Sequence, residues 1–378
     1  MSKINVRSPY FITDNSTSSG SALASAVLYI RIYTGNASTS LGQTPEYVIN
    51  STAINGSVTF EVSELVRDYI ENTFDGDYTG SVKWFNYNII RTYANASTSL
   101  TAQQNLAVFD GYGYFENGSN PQNLRSALQS NTTIFTNDFA NINIPIHVTE
   151  DTTVSYLKDG EIIFTKDLVY STNSADQVQY VQNSSLDADV FKKRVDAITG
   201  TTLEAFNCVK NIASDVYQEF DADSIYIDKG GVIEVIKIEE VEECKYNPYK
   251  VTFVNKFGVL QDLWFFKRSN LSLQTQQESY KANIVTNGTY SINSRQKTVF
   301  NKTGMERLQL NTGFYPESYN EIFRQLTLSE EVWIKYDGDT LPITVMSSSL
   351  NYKTSVNDKL INYTIDVEFA NNKINNIR

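Results

Sequence analysis

The chain has 378 residues, 41% hydrophobic content and a net charge of −12. That length exceeds one ordinary core and suggests two or three domains. The acidic balance argues against nucleic acid and anionic membrane surfaces, because no Lys/Arg run exceeds Lys192-Lys193-Arg194; no apolar run reaches the roughly 18 residues of a bilayer span.

Twenty-four Tyr and 20 Phe stand against 3 Met, in a background rich in Asn, Ser and Thr, which suits strands and turns better than helical bundles. Cys208 and Cys244 are too few for a disulfide framework or a Cys-based zinc site and read as unpaired thiols. The first residues, Met-Ser-Lys-Ile-Asn-Val-Arg, lack the apolar core of a signal peptide, so the expectation is synthesis and folding in a cytoplasm. Asn-x-Ser/Thr triplets such as Asn36, Asn55, Asn95, Asn131 and Asn362 then read as polar loops, not glycan sites.

In chain order, residues 4 to 12 alternate and open a first β-domain. Ala22 to Tyr33 makes a longer strand ended by Gly35. Asn55-Gly56 marks a turn before Val58 to Val62. A helix is expected from Ser63 to Thr73, with Ser63 as N-cap, Leu65, Val66, Tyr69 and Ile70 at helical spacing, and Asp75-Gly76-Asp77 as the break. Val82 to Arg91 and Asn105 to Phe109 read as strands. Gly, Tyr, Asn and Ser crowd Asp110 to Ser130, which reads as a linker or exposed aromatic loop with Tyr112, Tyr114 and Phe115 near its tip. Strands resume at Thr132 to Thr136, Ile142 to Val148 and Val154 to Leu157, and Asp159-Gly160 turns the chain into Glu161 to Thr165. Another is expected at Val178 to Gln182.

Within residues 186–220, Leu203, Phe206, Val209, Ile212, Val216 and Phe220 recur at a spacing that favours an amphipathic helix. Ser224 to Ile227, a turn at Asp228 to Gly231, and Val232 to Val241 follow. Val251 to Val254 and Val259 to Phe266 flank Asn255-Lys256-Phe257-Gly258 as a core hairpin. The last unit contains Tyr280 to Val285, a turn at Asn287-Gly288, Lys297 to Phe300 and Glu306 to Asn311. A short helix from Pro316 to Leu328 carries Tyr319, Ile322, Phe323 and Leu326 on one stripe. Glu331 to Tyr336, Leu341 to Met346, Ser349 to Lys353 and Ile361 to Phe369 complete a meander.

Catalytic chemistry finds little support. The single histidine, His147, lies in an apolar strand and reads as packed, without the nucleophile and carboxylate of a triad. Glu239, Glu240, Glu242 and Glu243 could serve paired-carboxylate hydrolysis, but a solvated edge strand that resists pairing accounts for them more simply. Asp75-Gly76-Asp77 and Asp337-Gly338-Asp339 lack calcium-loop spacing and read as turns. Neither Gly230-Gly231 nor Gly111-Tyr112-Gly113 opens a strand-to-helix phosphate loop. No catalytic, metal or cofactor-binding residue is expected, and no cofactor.

Three passages resemble virion structural proteins of tailed bacteriophages, specifically tail and baseplate components of Bacteroidetes-type phages. The first is Lys3-Ile4-Asn5-Val6-Arg7-Ser8-Pro9-Tyr10-Phe11-Ile12 with Phe60-Glu61-Val62-Ser63-Glu64-Leu65-Val66-Arg67-Asp68-Tyr69-Ile70. The second is Glu243-Cys244-Lys245-Tyr246 running through Phe253-Val254-Asn255-Lys256-Phe257-Gly258 to Trp264. The third runs from Leu326 to Ile334, then Leu341-Pro342-Ile343 and Tyr363-Thr364-Ile365-Asp366-Val367-Glu368-Phe369-Ala370-Asn371. The resemblance implies a non-enzymatic structural subunit in a tail, tail tip or baseplate, located in the virion, with no catalytic residues to carry over.

The expected fold is mainly β, with two or three antiparallel β-sandwich-like domains and a few short helices. Its expected divisions are residues 1–112, 113–273 (with a helical insertion at 186–220) and 274–378. Expected partners are further copies of the chain and other virion proteins, without nucleic acid or membrane insertion. The unprotected strands Lys3 to Ile12 and Ile361 to Phe369 are expected to pair across subunits, with Tyr10, Phe11, Tyr112, Tyr114, Phe115 and Phe369 as interface candidates. The competing expectation is a carbohydrate-binding or host-recognition module that makes a glycan contact through Tyr112 to Phe115.

Overall fold

Two-residue turns set the register of the sheets. In a computed structural model, Asn55-Gly56, Asp159-Gly160, Asn287-Gly288 and Asp337-Gly338 all take positive φ at both positions, 52°/76°, 52°/83°, 52°/78° and 50°/92°. That geometry matches the right-handed twist of the flanking strands, and Asn, Asp and Gly reach it at least cost. The structure describes residues 3–34, 44–78, 83–121, 127–129, 132–137, 142–147, 151–168, 178–182, 222–346 and 360–374. The helix expected within 186–220 lies outside the described residues, as do Asn36, Cys208 and the strand expected at 349–353. The described chain is mainly β, with two short α-helices.

It divides into two compact units. Unit 1 comprises Met1–Glu242 and Thr252–Leu263; unit 2 comprises Glu243–Val251 and Trp264–Arg378. In unit 1 a first sheet runs Lys3–Asn5, Gln104–Phe109, Lys83–Tyr93, Ser21–Thr34, Thr17–Ser18, with Tyr47–Thr52 and Thr98–Leu100 pairing alongside. The pair Phe11–Asp14 and Val58–Glu61 forms a smaller sheet. Ile4, Ile12, Leu28, Ile30, Phe60, Val62, Val66 and Phe85 share one core cluster. Full burial of each such side chain contributes about 1.5–3 kcal/mol.

A second core cluster in unit 1 holds Ile144, Ile146, Val154, Tyr156, Ile225, Ile227, Ile236 and Ile238. It draws on the sheet ordered Thr133–Thr136, Val232–Glu240, Ser224–Lys229, Thr152–Lys158, Glu161–Leu168, and on the pair Asn143–His147 with Val178–Gln182. Antiparallel pairing predominates among the described strands, while Lys3–Asn5 runs parallel to Ala107 to Phe109, and Thr133–Thr136 parallel to Lys237 to Glu240.

The hairpin Tyr249–Val254 and Leu260–Phe265 forms as expected, and one side chain organises its turn. Asn255 is fully buried. Its Oδ1 accepts from the backbone N–H of Phe257 and Val259, while Nδ2 donates to the Ala127 carbonyl and Gln261 Oε1. Gly258, at φ +74°, closes the turn where an added Cβ would stand 2.8 Å from the Asp110 nitrogen.

Four expectations need correction. The first helix spans only Ser63–Arg67, and Val62, not Ser63, holds the N-cap position. Beyond it, Asn72 donates to Asp110 at 2.8 Å and Phe74 packs on Tyr78, contacts that outweigh the weak helix propensity of Asn72 and Thr73. The glutamate-rich strand Val232–Glu240 lies inside its sheet, with Ser224–Lys229 along Val232 to Lys237 and Thr133–Thr136 along Lys237 to Glu240, so only its end at Glu239 and Glu240 keeps one side without a ladder partner. The described part of the supposed linker, residues 110–121, packs on unit 1: Asn5 Nδ2 donates to Pro121 O, and Asn120 both accepts from and donates to the Phe11 backbone. Thr364–Phe369 lies between two strands of its own chain and offers no edge to another subunit, whereas Lys3–Asn5 and Phe11–Asp14 each pair with one strand of the chain.

Candidate functional site: a basic β-hairpin arm

Unit 2 is built on the strands Val332–Tyr336, Asp339–Val345, Thr364–Phe369, Lys297–Asn311 and Lys267–Lys281, hydrogen-bonded in that order. The helix Asn320–Leu328 buries Ile322, Phe323 and Leu326. Tyr319 packs 4.5 Å from Tyr315, and Phe323 packs 4.6 Å from Tyr363, ring centroid to centroid. Tyr315 donates its hydroxyl to the Trp264 carbonyl at 2.7 Å, and burial pushes that hydroxyl's pKa well up.

The last two strands of this sheet, Lys267–Lys281 and Lys297–Asn311, are 15 residues each. Pairing of Lys297–Asn311 with Thr364–Phe369 stops at Arg307–Glu368, where Arg307 Nε meets Glu368 at 2.6 Å. Ten further residues of that strand continue outward, roughly 35 Å at strand rise. They pair with Lys267–Lys281 from Leu273–Glu306 to Lys281–Lys297, with a bulge at Glu278/Ser279. The Asn287-Gly288 turn lies in the segment that joins the two strands, closed by the bridge Thr286–Thr289. This two-stranded ribbon is the arm.

Every residue from Asn270 to Lys281 is exposed. Leu271 shares a face with Leu308, directly opposite; Leu308 is buried in unit 2, whereas Leu271 is 50% exposed. Leu273 continues that row at 56%, lying over Gly304, and Tyr280 meets Phe300 farther out with both rings more than half exposed. The apolar face of the sheet therefore runs on past the end of the core. At the root, Lys267 Nζ donates to Glu243 at 2.6 Å, and that bond leads the influences holding Glu243 below the ordinary carboxylate range.

The arm, residues 273–306, carries four Lys/Arg and two Asp/Glu, a charge of +2, which leaves −14 to the rest of the chain. An isolated two-stranded ribbon is marginal in water. A long, flat, sparsely protected strand at a sheet edge is a template for association. The arm thus combines reach, edge, apolar stripe and opposite charge in one element. Sequence reading found its turn and its outer strand segments but missed the span 267–279. The signal that could have revealed it is fifteen residues without Gly or Pro.

The expected interface residues are dispersed. Tyr10 (8% exposed) and Phe369 (6%) are packed inside their own units, the latter 5.2 Å from Tyr336. Phe11 is at the surface. Tyr112 and Tyr114 are half-buried in edge contact, Lys256 sits over the Tyr114 ring, and Phe115 is fully exposed. Of these, Tyr112 and Tyr114 come together, with Phe115 next to them in the chain.

Beside that loop, a small cleft of about 60 Å³ is lined by Ile70, Glu71, Asn72, Lys83, Val108, Phe109, Asp110 and Gly258. Asp110 is held there by a bidentate pair with Arg7, 2.7 and 2.6 Å, both side chains 8% exposed. This is an ion pair satisfied by structure, and the lining residues named include no Ser, Thr, Cys or His. His147 is buried and stacks on Phe109 at 4.7 Å. Among the described residues no grouping of three or more His, Cys, Asp or Glu could hold a metal, and Cys244 is an exposed free thiol.

No family model and no curated protein matches this chain. Among solved structures, one concerning host cell surface retention of a 1.5-MDa bacterial ice-binding adhesin is similar at 9% identity, covering 82% of this chain and 86% of that one, with a TM-score of 0.17. Extracellular domains 3–5 of Drosophila OTK are similar at 7% identity, covering 80% and 86%, with a TM-score of 0.17. At those scores neither carries an argument about fold or function.

Proposed function

We propose that this chain is a non-enzymatic structural subunit that joins a larger assembly through the projecting arm of unit 2. One observation carries the reading: a ribbon of two 15-residue strands leaves its sheet with its apolar row exposed. Such an element is stabilised when a partner covers it, and assembly subunits are where that ordering is useful. The resemblance of the quoted passages to tail and baseplate components supplies the setting, a phage virion with further copies and other virion proteins as neighbours.

Immunogold labelling of particles with antibody against this chain tests the setting. Label at the tail, tail tip or baseplate is the expected result; particles that carry none overturn it. The glycan-binding alternative rests on exposed Phe115 beside Tyr112 and Tyr114. A glycan array read with the chain and with Phe115→Ala separates it, since only that reading gives binding that the substitution removes.

A further inference from the structure

We propose that the arm of one copy docks on the acidic unit 1 of a second copy, which names the partner within the assembly reading on which it rests. The argument is charge partition. Residues 1–242 and 252–263 hold 16 Lys/Arg and 31 Asp/Glu, a charge of −15, while unit 2 stands at +3, of which the arm carries +2. Lys281, Arg295, Lys297 and Lys302 are all exposed on the arm.

Two self-associations are open to such a strand. Edge-to-edge pairing of two arms would set +2 against +2 in a single ribbon, and like charges across strands are destabilising. Arm against unit 1 sets +2 against −15. Complementary potential steers encounter and suppresses wrong registers. The densest exposed acid in unit 1 lies in residues 61–77, where Glu61, Glu64, Asp68, Glu71, Asp75 and Asp77 face solvent with only Arg67 among them. Because the two surfaces differ, the contact is heterologous and repeats from copy to copy, closing into a ring where the rotation permits.

The test mixes unlabelled and ¹⁵N-labelled full-length chain, applies a zero-length carbodiimide cross-linker, and reads mixed-isotope peptides by mass spectrometry. The expected result is mixed-isotope links from Lys281, Lys297 or Lys302 to unit 1 carboxylates, reduced roughly tenfold by 0.5 M salt, where screening shortens to a few ångströms. The variant K281E/K297E/K302E should lose them by a similar factor with its circular dichroism unchanged. Mixing it with E64K/D68K/E71K should restore them, now from the new lysines to the new arm glutamates. Arm-to-arm links, or no mixed-isotope links at 50 mM salt, overturn the proposal, as does multimerisation that nuclease removes. If those results come while immunogold still places the chain in particles, the second copy is the wrong occupant and the assembly reading stands; if particles carry no label, the broader reading has failed separately.

Discussion

Replacing Gly258 with alanine isolates how the hairpin turn is seated. Two costs apply. At φ +74° a side chain is disfavoured by about 1–2 kcal/mol. The new Cβ would also stand 2.8 Å from the Asp110 nitrogen, 2.9 Å from the Gly111 nitrogen and 2.9 Å from Phe109 Cβ, and backbone atoms cannot rotate away. Overpacking of that kind adds about 1–3 kcal/mol. Gly160 is the control: its φ is +83°, but nothing lies within 4 Å of its added Cβ, so only the first cost applies. Urea unfolding would be followed by Trp84 emission, with Trp264 and Trp333 replaced by Phe so that only unit 1 reports. With a slope of about 3 kcal/mol per molar, Gly258→Ala should unfold about 0.3–1 M below Gly160→Ala. Equal midpoints for the two variants would refute the close seating of the turn against residues 109–111.

Asp110→Ala removes the carboxylate from a nearly buried pair and should cost about 3 kcal/mol in unit 1, read as the same urea midpoint, because Arg7 is left uncompensated. Burial raises the pKa of Asp14, but hydrogen bonds from Arg91 and Ser16 outweigh it and the net shift is downward. Its stabilising contribution is therefore fully present above the unfolded carboxylate range near pH ~4 and fades as pH falls through the lower folded value; the urea midpoint of the parent should drop more steeply below that pH than that of Asp14→Asn. Tyr315→Phe leaves the Trp264 carbonyl without its donor and should lower unit 2 stability by about 1 kcal/mol, measured by thermal unfolding. Replacing residues 276–303 with an Asn-Gly turn, closed by the native pair Thr275–Gly304, should leave the thermal midpoint nearly unchanged, since that span contributes no large buried apolar side chain, while incorporation into particles is lost.

What could be read directly from residues was whatever depends on local backbone chemistry. Asn55-Gly56, Asp159-Gly160, Asn287-Gly288 and Asp337-Gly338 turn because few other pairs accept positive φ twice. The stripe Tyr319, Ile322, Phe323, Leu326 is buried because helical spacing puts those positions on one face. Tertiary pairing was not legible. Nothing near Lys3–Asn5 announces a parallel partner about a hundred residues away at Ala107 to Phe109. The Gly- and Tyr-rich segment after Asp110 has loop composition, yet its polar groups are bound to residues 5–11. The arm was hidden for the opposite reason: strand patterning comes from burying one face, and Ser272 to Ser279 bury neither.

The division of the chain has a consequence for its synthesis. Unit 1 includes Thr252–Leu263, which follow nine residues belonging to unit 2. On the ribosome, an N-terminal domain ordinarily closes before the next one begins to emerge. Here the Ala127 carbonyl waits for Asn255, and residues 109–111 wait for the Phe257-Gly258 turn. Completion of the first unit is therefore delayed until the second has started to appear, and a nascent chain stopped near residue 242 should be sensitive to protease where one released past residue 263 is not.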